Sequence, residues 1–411
     1  MRMNSGFLKD IIKMPSFVAL VFTITMLGLS VSATNPFLSL YCIQEAGMTP
    51  LSYGILMSIT MVFGLFISTF LGKASDTRFS RKTIIIFTLL STSAAYVLFA
   101  LFTNYYVLLA VSALFFGISF ASFPQVFAYA RDSISRSNIS AINQPLAMNI
   151  LRMLYSLGWI VGPSIGSVLV NQYNFFYLFL IVAATYIFVS LIAFILFRSH
   201  PVTLAVQEDK QPVHLGQFIK QPQISSVLGT FILLSIASSM STLVLPLFFS
   251  TTMHGNYQQL GWLYSITAIV ELPLMVIVGV MSRKMGKTAI ILIGIISNVL
   301  YFLVFALAHS IILLYFAQVL SAISVSIIMG YGISYFQDLL PEEPGTATTL
   351  YSNTSRIGSS LGGVVSGALS GMFGYRSVFV ACMSISLAAL SIFGLVNTSN
   401  RRTIHKEAGK I

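Results

Sequence analysis

Polar punctuation cuts this chain into twelve apolar segments, and their lengths constrain the fold more than any motif does. They fall at approximately 16 to 41, 51 to 73, 83 to 103, 105 to 130, 142 to 170, 174 to 197, 224 to 250, 258 to 281, 288 to 308, 311 to 337, 346 to 371 and 376 to 397. A hydrocarbon core of about 30 Å takes about 20 residues of helix, so each segment is long enough to span. Lipid cannot satisfy free backbone N–H and C=O groups, and the alternation of a membrane barrel is absent, so the segments are expected to be helices. The expected fold is an all-α polytopic membrane protein with twelve transmembrane helices. Only 8% of the 411 residues are charged, against about a quarter in soluble domains. That excludes a water-soluble protein and leaves no room for a sizeable soluble domain.

The 22 Lys and Arg outnumber the 11 Asp and Glu, but they sit in short clusters between apolar runs, a pattern of membrane topology and not of nucleic-acid binding. Alternate loops should share a side. Nineteen basic residues fall on the side of the termini: Arg2, Lys9, Lys13, Lys73, Arg78, Arg81, Lys82, Arg131, Arg136, Arg198, Lys210, Lys220, Arg283, Lys284, Lys287, Arg401, Arg402, Lys406 and Lys410; the opposite side has only Arg376. By the positive-inside rule both termini are expected in the cytoplasm, with the chain multi-pass in the cytoplasmic (inner) membrane. The run from Ser16 is longer than a signal-peptide core and reads as the first span. Cys42 and Cys382 lie 340 residues apart, which offers neither a disulfide framework nor metal-ligand spacing. No cofactor or metal is expected.

The longest interruption, residues 198–223, holds Pro201, Pro212, Pro222, Glu208, Asp209 and Lys210. It reads as a cytoplasmic linker between six-helix halves at 1–197 and 224–411. The halves resemble each other. Gly54-Ile-Leu-Met-Ser-Ile-Thr60 recurs at an offset of 207 as Gly261-Trp-Leu-Tyr-Ser-Ile-Thr267. Asn149-Ile-Leu-Arg152, followed by Ser156-Leu157-Gly158, recurs at an offset of 204 as Asn353-Thr-Ser-Arg356 with Ser360-Leu361-Gly362. Matching spans run in the same direction, so the halves are parallel repeats, with a substrate site expected between them near the midplane.

Several stretches carry a resemblance that covers essentially the whole chain. Gly72-Lys-Ala-Ser-Asp76-Thr-Arg78-Phe-Ser-Arg81-Lys82 is similar to the G-x-x-x-D-R-x-G-R-K loop of the major facilitator superfamily, departing from it in Thr77, a missing second glycine and one extra residue. Gly158-Trp-Ile-Val-Gly162-Pro163-Ser-Ile-Gly166 resembles the G-x-x-x-G-P-x-x-G signature of that superfamily's exporters. Pro124-Gln125 ahead of Ala130-Arg131, Val270-Glu271-Leu272-Pro273, and Phe336-Gln337-Asp338-Leu339 leading to Gly345-Thr-Ala-Thr-Thr-Leu350 resemble its sugar efflux transporter family. The resemblance implies a secondary active exporter of sugars or glycosides driven by proton antiport with alternating access. Its expected partners are a small-molecule sugar, protons and membrane lipid, with no nucleic acid and a monomeric state. A multidrug or other metabolite exporter of the same fold is the alternative.

An ionisable group at the bilayer centre costs about 2.5–3.5 kcal/mol on insertion scales and usually faces a bundle interior or cavity. Three such groups stand inside the segments: Arg152, Glu271 and Arg356. Each lies about ten residues, or about 15 Å, from the cytoplasmic end of its span. Glu271 is the only acid among them. Removal from water favours its protonated form and a nearby arginine its ionised form, so Glu271, Arg152 and Arg356 are the expected proton-coupling set; a permanent ion pair that fixes packing is the competing reading. The two guanidinium forks also suit sugar hydroxyls. Asn35, Gln125, Asn149 and Asn353, with the flat faces of Tyr155, Trp159, Trp262 and Tyr264, are the candidate substrate ligands.

Gly72, Asp76, Arg78, Arg81 and Arg131 are expected to form a conformational latch, with Asp76 at a helix N-terminus and paired with Arg131. Gly158, Gly162, Pro163 and Gly166 are expected to let helices approach closely. No HExxH, paired aspartates or Ser-Lys dyad lies within the spans, so no catalytic residues and no enzyme are expected.

Overall fold

A computed structural model describes residues 14, 16–137, 139–140, 143–198, 222–282, 284–341 and 343–408. Most of the expected linker, and Arg283, therefore lie outside the described residues. The described chain is helical, with no strand. In order, α1 is Phe17–Leu40, continued by a π-turn Tyr41–Glu45; α2 is Pro50–Thr77; α3 is Arg81–Leu101. The fourth helix, α4, is broken: Tyr105–Val111, a π-turn Ser112–Phe116, the short piece Gly117–Ser119, then Ser122–Ser135. Then come α5 at Gln144–Gln172 and α6 at Phe175–Leu196.

The second set repeats this plan. Here α7 is Pro222–Leu247 with a π-turn Phe248–Thr252, α8 is Tyr257–Met281 and α9 is Lys287–Leu307. The tenth, α10, is Ile311–Val325, a π-turn Ser326–Tyr331 and Gly332–Leu339; α11 is Pro344–Phe373 and α12 is Tyr375–Ala408. Among the described residues eleven helices are long and apolar enough to cross a membrane. The twelfth, α11, has the length, 30 residues, but Arg356 and its many Ser, Thr and Gly residues dilute its hydropathy.

Side chains set the helix starts. Asn104 Oδ1 accepts from the Tyr106 and Val107 amides (3.0 and 3.3 Å), and Ser310 Oγ accepts from Ile312 N (3.3 Å) at the matching start of α10. Each satisfies amides that the first helical turn leaves without a carbonyl. Two segments run past their expected ends. The stretch Gly72–Asp76, expected as loop, forms the last turns of α2, and α12 continues to Ala408, because polar residues without proline can prolong a helix beyond hydrocarbon.

Close packing follows the glycines. A Cβ on Gly158 would overlap the Gly28 and Leu29 backbone, and one on Gly166 the Ala33 carbonyl, so α5 lies backbone-close on α1. Ser32 Oγ donates across this seam to the Gly158 carbonyl (2.8 Å). In the second set, a Cβ on Gly358 would overlap Ser235 of α7, and Ser239 Oγ donates to the Ser359 carbonyl (3.4 Å). Small residues permit both approaches.

The chain divides into two compact units: Met1–Met48, Ile59–Glu208 and Tyr257–Ser265 form one, and Thr49–Ser58, Asp209–Asn256 and Ile266–Ile411 the other. The first turns of α2 thus pack with the second unit, and those of α8 with the first. Gly54 meets the Gly363 and Gly367 backbone of α11, while Val364 N donates to Ser58 Oγ (3.1 Å). Gly261 meets Pro163 and Ser167 of α5, and Ser164 and Ser265 share a hydrogen bond (3.0 Å).

Candidate functional site

In the second unit, Glu271 lies on α8 ten residues before its end and is half-buried. Among the described residues of that unit its carboxylate has no hydrogen-bond or ion-pair partner. Its backbone carbonyl accepts from Ser326 Oγ (3.3 Å), the residue that opens the π-turn of α10. One turn before Glu271, Thr267 Oγ1 donates to Gln318 Oε1 of α10 (2.7 Å). Gln318 is buried and uses Nε2 on the Leu314 carbonyl (3.2 Å). The acid therefore sits on a helix stretch held to α10 one turn before it and at its own carbonyl.

Arg356 is exposed on α11 and Asn353, three residues before it, is half-buried. No ion pair joins Arg356 to Glu271 among the described residues of their unit. Arg152 and Asn149 are exposed on α5 in the first unit. The two arginines repeat each other in backbone detail: Ser156 Oγ donates to the Arg152 carbonyl (3.3 Å) and Ser360 Oγ to the Arg356 carbonyl (2.9 Å). Tyr155 and Trp159 continue the Arg152 face of α5 at helical spacing. The Tyr155 ring meets Phe123 edge-on (centroids 4.8 Å apart). In the same unit Asn35 is half-buried beside Pro36 in α1, Trp262 is 54% exposed and Tyr264 is half-buried.

Gln125, read as a substrate candidate, is bonded to the stretch expected as the latch. It is buried in the last segment of α4, and its Nε2 donates to Ser75 Oγ (3.1 Å), a residue of the expected latch stretch. Ser75 Oγ in turn donates to the Gly72 carbonyl (2.6 Å) and accepts from Arg81 (3.4 Å). Arg81 Nε pairs with Asp132 Oδ2 at 2.7 Å. Arg131 is 70% exposed and only reaches Asp132 Oδ1 at 4.0 Å. Arg78 is exposed. The side chain of Asp76 lies outside the described residues.

Comparison with known proteins decides what this scaffold is. The sequence model of the Major Facilitator Superfamily matches residues 20–309 and again 227–410. A Deinococcus radiodurans protein provisionally named a sugar efflux transporter is 34% identical, over 95% of this chain and 99% of that protein. The chain belongs to the Major Facilitator Superfamily, in its sugar efflux transporter family. Sugar efflux transporter C of Escherichia coli K12 is 29% identical to this facilitator over 86% of the chain and 88% of that protein. Among solved structures, a mutant of the nucleoside transporter NupG gives a TM-score of 0.81 at 15% identity, covering 92% of this chain and 98% of that one. A bacterial homologue of the human lysosomal transporter Spinster gives 0.72 at 15% identity, covering 96% and 98%. These structures share the fold. The relatives are transporters and not enzymes.

The reading of residues alone missed the partner of Arg81. Asp132 holds it, and the facilitator's second repeat makes the same bond between Lys287 Nζ and Asp338 Oδ2 (2.5 Å). Both members of the pair recur at an offset of 206. That common offset was the available signal. The half-buried Thr267 and the buried Gln318 carried none, since one amide in an apolar run looks like any other until the helices pack.

Proposed function

We propose that this facilitator exports a neutral sugar or glycoside from the cytoplasm by alternating access, in exchange for protons, as a monomer in the cytoplasmic membrane with both termini inside. The observation that carries the substrate class is similarity over 95% of the chain to a relative named for sugar efflux. Proton coupling is assigned to Glu271, an acid ten residues inside its span, whose carboxylate is left without a partner among the described residues of its own unit. Protonation of Glu271 alternates with sugar binding, to which Arg152 and Arg356 offer their guanidinium forks, so that proton and substrate exclude one another. Asn35, Asn149, Tyr155, Trp159, Trp262, Tyr264 and Asn353 supply amides and flat faces to the sugar. Gln125 joins Gly72, Asp76, Arg78, Arg81 and Arg131 at the latch.

Counterflow of labelled sugars and glycosides in proteoliposomes, with and without an imposed pH gradient, tests the reading. Glu271→Gln should keep counterflow and lose gradient-driven accumulation. Normal accumulation with unchanged pH dependence in that variant would remove Glu271 from coupling. A second reading, export of lipophilic drugs, draws on 22% identity over 92% of the chain to multidrug resistance protein MdtG of Salmonella typhi. Transport of lipophilic cations without any sugar would favour it.

A further inference from the structure

The duplication supplies an internal control for the surroundings of Glu271. Thr60 and Thr267 close the shared heptads of α2 and α8, so four residues on, Gly64 is the counterpart of Glu271. The offset of 206 that relates Arg81 to Lys287 and Asp132 to Asp338 makes Ser112 the counterpart of Gln318 and Phe120 that of Ser326. The contacts correspond as well. In the first unit the Phe120 ring lies where a Cβ on Gly64 would be, 2.5 Å away. In the second unit Ser326 touches the Glu271 carbonyl instead. Ser112 is too short to act as Gln318 does, and its buried hydroxyl has no hydrogen-bond partner among the described residues. Three positions on one helix–helix contact thus carry a glycine, an idle serine and a phenyl ring in one repeat, and in the other the acid with two polar neighbours, Gln318 and Ser326, that bond to its helix.

Packing alone does not ask for this. The first repeat shows that the same contact can be made with a glycine and a phenyl ring. A buried amide is costly unless satisfied, and Gln318 bonds to Thr267 and to its own helix. We propose that Gln318, acting through Thr267, and Ser326, acting through the Glu271 carbonyl, are positioning residues that fix the turn of α8 bearing Glu271 against α10, so that its carboxylate is presented for proton exchange. This rests on the assignment of coupling to Glu271 made above.

The test separates coupling from folding and from the sugar reading. Gln318→Leu, Thr267→Val and Ser326→Ala are compared with Thr267→Ser, which keeps the hydroxyl, and with Ser112→Ala at the idle counterpart. In proteoliposomes, the first three should lose about ten-fold in gradient-driven accumulation while counterflow stays within about two-fold, the pattern of a lost coupling step and not of lost binding. Thr267→Ser and Ser112→Ala should match the parent. The double variant Thr267→Val/Gln318→Leu should be no worse than either single, because the two share one bond. A parallel fall in counterflow and accumulation, or no change in either, would overturn the proposal. A second readout needs no sugar: the rate at which dicyclohexylcarbodiimide labels Glu271 should change in Gln318→Leu and not in Ser112→Ala. If the parent moves no sugar yet labelling responds in this way, the positioning role stands and the sugar reading falls. Labelling that is the same in both variants removes the positioning role whatever the substrate.

Discussion

Replacing Arg81 and Asp132 singly and together, and Lys287 and Asp338 likewise, compares one repeated bond in two environments. The Arg81 and Asp132 side chains are 21% and 29% exposed, those of Lys287 and Asp338 52% and 40%. A solvated pair is typically worth about 0–1 kcal/mol, whereas breaking a buried one costs about 3–5 kcal/mol. The Arg81 pair lies between these limits. It also presents a planar guanidinium whose remaining N–H reaches Ser75, which loses less side-chain entropy per bond than a lysine does. We expect a coupling energy of about 1.5 kcal/mol for Arg81–Asp132 and about 0.5 kcal/mol or less for Lys287–Asp338, although the second is the shorter contact. In a unit of about 200 residues, 1.5 kcal/mol corresponds to about 3–6 °C in Tm. The assay is thermal unfolding of the detergent-purified protein at low and high salt. Raising salt to about 1 M shortens the screening length to about 3 Å and should erase the lysine coupling while sparing most of the arginine one. A lysine pair that couples as strongly as the arginine pair, or an arginine pair that salt abolishes, would refute the assumption that exposure outweighs distance here.

The glycines divide into two groups by what stands opposite them. Gly166→Ala should destabilise the protein because its Cβ meets the Ala33 carbonyl, whereas Gly279→Ala, with nothing within 4 Å, should be neutral or stabilise by about 0.5–1 kcal/mol in the same unfolding assay. Cys42 and Cys382 are both fully buried, so neither should react with maleimide in native membranes, and both should do so in denaturant. Rapid native labelling of Cys382 would contradict the packing of α12 on α7, where its Sγ donates to the Ala237 carbonyl at 3.3 Å.

The twelve helices and the repeat were legible because hydropathy and polar punctuation are one-dimensional signals that the bilayer imposes directly. Several ends fall within a residue or two of the observed ones, as at Ile311 and Phe175, where Ser310 and Asn174 cap the helix. The π-turns were not legible. A register change of the backbone alters which carbonyls are free, and a uniformly apolar stretch such as Ser112–Phe116 keeps no record of it. The ends of α2 and α12 were read too short, since polar residues end a hydrophobic run without ending a helix. The site was legible only as a list. Glu271, Arg152 and Arg356 announce themselves by the cost of a charge in lipid, but Gln125, chosen as an amide within a span, sits on Ser75 near the ion pair of Arg81, and nothing in its spacing marks that depth.

Within a duplicated fold, the two copies distinguish architecture from chemistry. The offset-206 ion pairs, the glycine seams of α1 on α5 and α7 on α11, and the serine bonds behind Arg152 and Arg356 occur in both copies, in related helices and with related partners. What both copies need is most simply the fold and its shared motion. Glu271, Gln318 and Ser326 occur in one copy only, at a contact the other copy makes with Gly64 and Phe120. An intramembrane acid costs insertion energy, and the first copy shows that the helix contact forms without it. The requirement that retains it is therefore not packing. The two arginines fall on the architectural side of this division although their charge is as expensive, so a symmetric task, such as a guanidinium for substrate in each half, fits them better than service as a single counter-ion would. Arg152→Gln and Arg356→Gln should then each weaken sugar counterflow, whereas Glu271→Gln should not.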